Sequence, residues 1–214
     1  MSERKPYLNA AGKPVPSVTQ VISRFKDSGG LIWWAWNEGR EGRDFRETQG
    51  AAASAGTLAH KMVECEIRGQ AFQPNGEPPE TLAKASRAFA MFQEWSRHTQ
   101  LVPVDTEVKL VSEELQVGGT IDAVSILDKV ALLDWKASNA VYVDYLIQIA
   151  AYGALWNEHN PDRPITGGYH LVRFSKDEGD FSQHYFSDLS DALESFKLMR
   201  RLFDLDKKLK ARVK

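Results

Sequence analysis

The chain has 214 residues, 43% hydrophobic and 26% charged, ordinary globular usage that lets it bury a self-sufficient core. A net charge of −2 excludes a basic protein that wraps nucleic acid by bulk attraction, so such a partner would need a local basic groove. Cys65, the one cysteine, excludes an internal disulfide, an all-cysteine cluster and a Cys-rich zinc site.

The stretch MSERKPYLNA has no apolar signal region, and no run of about 18 apolar residues occurs, so the expectation is a soluble, cytoplasmic protein. A short hairpin is expected around Ala10-Ala11-Gly12. Ser17-Val18-Thr19-Gln20 reads as a capping box opening a helix to about Phe25. GLIWWAWNEGREGRDF continues as helix or compact coil. A helix from about Ser54 to Arg68 stops at Gly69, PNGEPPE is a loop, and TLAKASRAFAMFQEWSRHT is an amphipathic helix.

The period then changes. Val104 to Val111, Val117 to Leu127 and Val130 to Trp135 read as strands, with a turn at Asp128-Lys129 between the last two. YLIQIAAYGALWNEH is a helix, ITGGYHLVRFSK and FSQHYFS pair as strands across KDEGD, and a long charged helix follows. The order is helices, three strands, helix, two strands, helix. No Pro-rich or Ser/Gly-rich linker divides the chain, so one domain is expected over 1–214, with an elaboration at 1–50, a core at 54–187 and a terminal helix at 188–214.

Charges inside the apolar hairpin are its unusual feature. The turn near Asp128 lies midway between Asp122 and Asp134, which places them opposite one another, with Cβ atoms roughly 4.5–5.5 Å apart. Lys136, two residues beyond Asp134, points to the same face, and Trp135 points to the other. Two facing carboxylates repel unless something positive stands between them. A divalent cation answers that need: two hard oxygen ligands plus water and a substrate phosphate is how Mg²⁺ is typically held. The Trp135 carbonyl is a further oxygen in reach. Lys136 orients water or stabilises developing negative charge, and the reaction class is metal-assisted phosphodiester hydrolysis. The plainer reading is a strand-end ion pair, since Glu107-Val108-Lys109 and Asp206-Lys207-Lys208 repeat the triplet elsewhere. The turn-linked Asp122 and the close-approach glycines Gly118 and Gly119 favour the site.

GGTIDAV, LLDWKAS and QIAAY, in that order, resemble the PD-(D/E)XK nuclease superfamily, and within it the RecB-like branch. GTLAH resembles that branch's histidine-bearing helix. VPSVTQVI and LIWWA resemble the N-terminal pattern of phage-encoded members and of mitochondrial genome-maintenance exonucleases. Ile121 stands where the family's proline precedes the first Asp, and the iron–sulfur versions of the branch are excluded because they need four cysteines.

The resemblance implies an α/β fold: a restriction-endonuclease-like core, a central mixed β-sheet flanked by helices, and an N-terminal helical elaboration. It implies a Mg²⁺- or Mn²⁺-dependent DNA exonuclease of phage or bacterial origin, acting in recombination, repair or phage DNA processing. DNA is then the partner, with a recombination or single-strand-binding protein as a second candidate. Asp122 and Asp134 hold the metal with His60 and the Trp135 carbonyl, Lys136 assists the attacking water, and Gln148 and Tyr152 orient the substrate. The alternatives are a non-catalytic DNA- or partner-binding module on the same fold, and an endonuclease.

Supporting residues divide between two readings. His60 and Glu64 share a helical face: the resemblance favours His60 as a ligand, while spacing favours Glu64 as its plain hydrogen-bond partner over a metal-linked role. Glu107 either joins Asp122 or pairs with a neighbouring cation. Ser138 and Asn139 either donate to phosphate or cap the next helix, and capping is favoured. Of Trp33, Trp34 and Trp36, at least two are expected in the core, although bases stack on such rings. Arg40, Arg43 and Arg46 line a phosphate-tracking groove or pair with Glu38, Glu41 and Glu47. His98, His159, His170 and His184 are structural, and the tail KKLKARVK is a solvated helix end that could add non-specific DNA affinity.

Overall fold

In this computed structural model residues 6–99, 102–126, 129–138, 140–174 and 181–213 are described. Strands β1 (Tyr7–Leu8) and β2 (Pro14–Val15) form the expected hairpin, its turn closed by Gly12 at φ +70°. Helix α1 (Val18–Phe25) starts on the expected capping box: Gln20 N–H donates to Ser17 Oγ at 3.1 Å, and Ser17 N–H to Gln20 Oε1 at 2.8 Å. Helices α2 (Gly29–Arg40), α3 (Phe45–Ile67) and α4 (Pro79–His98) follow.

Helix α3 begins nine residues before the expected Ser54, at Phe45. Asp44 caps it by accepting from Arg46 N–H at 2.8 Å. The alanines that follow favour helix strongly enough to carry it through Gly50 and Gly56. The boundary drawn at 50–54 between elaboration and core therefore falls inside one continuous helix.

Five strands form the main sheet in the order β3 (Pro103–Ser112), β4 (Val117–Ile126), β5 (Val130–Ala137), β6 (Tyr169–Phe174), β7 (Phe181–Phe186). Every neighbouring pair is antiparallel except β5–β6, which is parallel and is bridged by helix α5 (Val143–His159). A parallel pair requires such a crossover. Helix α6 (Ser190–Arg212) closes the chain. Leu127, Asp128 and the segment between the last two strands lie outside the described residues, but Ile126 opposite Val130 keeps the hairpin centred on position 128.

Residues 130–135 of β5 are all buried, as a strand covered on both faces must be. Leu132 joins Val18, Ile121, Ile149, Leu155 and Phe196 on the side of α1, α5 and α6. Leu133 and Trp135 join Met62, Phe92, Trp95 and Val172 on the side of α3 and α4. Trp135 packs edge-on against Phe92 and Trp95, with ring centroids 5.5 Å apart in each pair. At about 25 cal/mol per Å² of apolar surface, burying such rings is a leading source of stability. This anchoring of Trp135 forces its neighbours Asp134 and Lys136 towards the opposite face.

Trp33 and Trp36 are 66% and 56% exposed and Trp34 is half-buried, so the expectation of two core tryptophans fails. The reason is that α2 touches α3 along one edge, where Trp34 meets Phe45 at 6.4 Å, and turns its remaining faces outward.

Candidate active site

The β4–β5 ladder closes with Ala123 opposite Leu133, and the next residues on each strand are Asp122 and Asp134. Here Trp135 N–H donates to Asp122 Oδ2 at 2.9 Å, so a side chain continues the hydrogen bonding where the strand pairing ends. His60, on α3, approaches from the other flank, with Nδ1 3.7 Å from the same Oδ2.

Asp134 has no solvent exposure. Lys136 Nζ stands 2.6 Å from its Oδ2, yet neither carboxylate oxygen takes part in a well-aligned hydrogen bond among the described residues. Burial drives the Asp134 carboxyl up; Lys136 pulls it back and Asp122 pushes it up again. For Lys136 burial acts downward, but Asp134 and Asp122 outweigh it, so the ammonium holds its proton more tightly than usual. The Tyr145 ring centroid lies 5.1 Å from Nζ.

Glu107 lies in electrostatic reach of Asp122 and Glu64 and also of the cations Arg68 and Lys109, so the fold gives it neighbours of both its readings. Burial, then the carboxylates of Asp122 and Glu64, push its carboxyl up to about 7. Its backbone is left-handed, φ +53°, which is strained for a side-chain-bearing residue and is a frequent mark of functional sites. Glu64 does not satisfy His60; it turns to Arg68, 2.5 Å away, which also donates to Thr106 Oγ1 at 3.2 Å.

On α5, Gln148 Nε2 donates to Tyr152 OH at 2.8 Å. Tyr152 is 5% exposed, and burial pushes its phenol well above its ordinary range, so it stays protonated. Gly118 and Gly119 admit rings here rather than a ligand. A Cβ on Gly119 would stand 2.7 Å from Tyr152 Cε1, and one on Gly118 would stand 2.1 Å from Tyr7 Cγ.

Ser138 caps nothing: Tyr142 is the N-cap of α5, and Ser138 Oγ donates to the Ala140 carbonyl at 2.8 Å. Asn139 lies outside the described residues. Arg43 is clamped to Glu38 at 2.6 Å and also pairs with Glu41, which commits it to the paired reading. Arg40 stacks over Trp36, 4.7 Å from the centroid. His98, His159, His170 and His184 hydrogen-bond Glu94, Val111, Gln183 and Ser182 and stand apart from this cluster.

Tyr145, Tyr7 and Arg173 escaped the sequence reading. Tyr145 was findable, since 145, 148 and 152 share one helical face. Tyr7 donates to or accepts from Thr120 Oγ1 at 2.8 Å, a contact across 113 residues that no local pattern announces. Arg173 is the β6 neighbour of Lys136 and donates to Ser182 Oγ at 3.0 Å.

Among the described residues no three His, Cys, Asp or Glu side chains converge as a ready-made metal cage, so His60, Asp122 and Asp134 are not assembled as one. The donor chemistry nevertheless fits a hard cation. Two buried carboxylate oxygens lack well-aligned donors, and a second carboxylate is close enough to raise the first.

A sequence model of the PD-(D/E)XK nuclease superfamily matches residues 33–207. No protein of curated function matches the chain. A crystal structure from Eubacterium rectale, named "Putative exonuclease", superposes with a TM-score of 0.51 at 15% identity, covering 72% of this chain and 68% of that one. At that identity the likeness is one of fold. Among the described residues no helix is long and apolar enough to cross a membrane.

Proposed function

The chain belongs to the PD-(D/E)XK nuclease superfamily, and from that premise we propose that it is a Mg²⁺- or Mn²⁺-dependent deoxyribonuclease that degrades DNA from an end. The observation that carries this reading is Asp134, a carboxylate with no solvent exposure, no well-aligned hydrogen bond among the described residues and a lysine at 2.6 Å. Lys136 compensates the charge at Oδ2, while Oδ1 has no hydrogen-bond partner among the described residues, and a buried carboxylate oxygen left so is costly unless a further cation takes it. The exonuclease assignment is supported by the motif order and by the name of the Eubacterium rectale neighbour.

Asp122, Asp134, the Trp135 carbonyl and His60 are the residues that would hold the cation, with Glu107 a further carboxylate in electrostatic reach of Asp122. When bound, it supplies polarisation of a phosphoryl oxygen and a lowered pKa for water. Lys136 keeps its proton, so it acts as a donor: Nζ orients water and stabilises the negative charge that builds on phosphate. Tyr152 already accepts from Gln148 and keeps its own hydroxyl proton to donate. That hydroxyl would donate to the DNA backbone, and Gln148 Oε1, an acceptor, would take a hydrogen bond from Lys136. With acids at its centre, the site binds DNA weakly when metal-free. Recombination, repair or phage DNA processing in a bacterial cytoplasm is the role consistent with this activity.

Linear, circular and end-blocked DNA incubated with Mg²⁺ tests the reading on wild type, Asp134→Ala and Lys136→Ala. The wild type is expected to degrade linear DNA and spare the other two, and both variants are expected to be inactive. Degradation of circular DNA makes it an endonuclease. Equal activity in all three proteins removes the site assignment, and inactivity of the wild type on any nucleic acid favours a binding module.

A further inference from the structure

The face of α5 that carries Tyr145, Gln148 and Tyr152 ends, at the N-cap, on Tyr142. Aromatic rings lead outward along it from Lys136. Lys136 Nζ lies 5.1 Å from the Tyr145 centroid, and that centroid lies 5.4 Å from the one of Tyr142, the two planes crossing at 84°. The Lys136 side chain is 14% exposed, whereas Tyr142 is 49% and Val143 70% exposed. An aromatic ring therefore opens to solvent two contacts away from the ammonium. With a phosphate at Lys136, that is the reach of the adjoining nucleotide.

Helix α5 does not need this ring to form. Among the described residues the Tyr142 side chain makes no capping hydrogen bond, and the helix is anchored further along by Ile147, Ile149, Leu155 and Trp156. Lys26, at the end of α1, reaches across to it: Nζ is 2.8 Å from Asp144 Oδ2 and 5.6 Å from the Tyr142 centroid. Lys26 and Asp144 cancel one another, and Asp27 beside them accepts from Gly29 N–H at 2.8 Å and adds a negative charge. Bulk charge therefore draws nothing to this rim, and what the rim offers is the ring.

Size and position decide the occupant. One tyrosine and one valine fall far short of the roughly 800 Å² per partner that a stable protein interface buries. They match a single flat π-system, and the flat group next to a phosphate is a nucleobase. Inside a duplex both faces of a base are covered by its neighbours, so only a base that has left the stack can lie on an aromatic side chain.

We propose that Tyr142 is the stacking platform for an unpaired nucleobase beside the phosphate that is cut, which makes a single-stranded DNA end the substrate of this site. The proposal rests on the nuclease reading above and adds the form of DNA that the site takes.

Cleavage of end-labelled oligonucleotides in Mg²⁺ tests it, with a single strand, a blunt duplex, and single strands carrying one abasic residue at successive positions from the end. The wild type is expected to cut the single strand roughly tenfold faster than the duplex. Tyr142→Leu keeps bulk beside Tyr145, and it is expected to raise KM for the intact single strand by roughly tenfold while kcat stays near wild type. Tyr142→Phe should match the wild type. An abasic residue at the stacked position should cost the wild type the same factor and cost Tyr142→Leu nothing further. A displaced Lys136 would instead lower kcat on intact and abasic strands alike. That last pattern, a duplex cut as fast as the single strand, or a Tyr142→Leu protein equal to wild type overturns the proposal and leaves the nuclease reading standing. A wild type that cleaves no DNA overturns both.

Discussion

Lys136 Nζ and Asp134 Oδ2 stand 2.6 Å apart at a position where the carboxylate has no contact with solvent. Breaking a buried pair leaves an uncompensated charge, at a cost of about 3–5 kcal/mol. Lys136→Met should therefore do two things. It should slow DNA cleavage by at least about a hundredfold, the scale of losing one stabilising donor. It should also lower the unfolding free energy of metal-free protein, less so in acid, where the Asp134 carboxyl takes up a proton. Single-turnover cleavage and urea unfolding at two pH values check both. Wild-type cleavage by this variant would leave the pair purely structural.

Glu107 makes a prediction of definite sign. Its carboxyl titrates near 7 in the fold, against about 4.3 when unfolded. A raised value means that the folded state binds the proton more tightly. The group's contribution is fully present below about pH 4.3 and is lost as pH rises through about 7. Glu107→Gln should thus be more stable than wild type above about pH 7, by on the order of 1–2 kcal/mol once solvent screening of this half-exposed group is allowed for. The two proteins should converge below about pH 4.3. Urea titrations in EDTA across this range measure it. A constant difference at all pH values would assign the effect to the left-handed backbone instead.

Gly119 touches the site through Tyr152. A methyl there would sit 2.7 Å from Tyr152 Cε1, 3.0 Å from Cδ1 and 3.2 Å from Leu155 Cδ2. The ring is buried and cannot swing clear, so Gly119→Ala should cost about 1–3 kcal/mol, the range for overpacking a core. It should also displace the hydroxyl that Gln148 bonds, and so slow cleavage. Tyr152→Phe separates the effects: packing stays, while one buried hydrogen bond, worth about 1 kcal/mol, is lost. Thermal midpoints beside cleavage rates distinguish them, and an unperturbed Gly119→Ala would mean that β4 or α5 gives way easily.

The parts of the fold written in periodicity were readable. The hairpin centre near 128 follows from the polar Asp128-Lys129 pair between two apolar stretches, and it is why Asp122 and Asp134 came out as neighbours. The start of α3 was missed because GAAASAG has no apolar period, although Asp44 with Glu47 three residues on is a helix-start pattern. The tryptophans of α2 misled because large aromatic residues are usually buried, whereas exposure here depends on how little of α2 its neighbours cover. Tyr7 meets Gly118 and Thr120 across more than 100 residues, a packing fact that no window of sequence contains.

Tyr145 provides the last prediction, because its ring, not its hydroxyl, faces Lys136. The ammonium lies 5.1 Å from the ring centroid, and Tyr142 braces the ring edge-on at 5.4 Å. A cation over an aromatic face gains about 0.5–2 kcal/mol, more as water is excluded. Tyr145→Phe keeps the face and should cleave DNA at close to the wild-type rate. Tyr145→Leu keeps bulk but removes the quadrupole, so Lys136 should be held less firmly and cleavage should fall several-fold. Binding of DNA to Asp134→Asn versions of the same two variants, read by fluorescence anisotropy, should not differ. The loss then belongs to the position of Lys136 during the reaction. Equal rates for Phe and Leu would show that the ring supplies only packing.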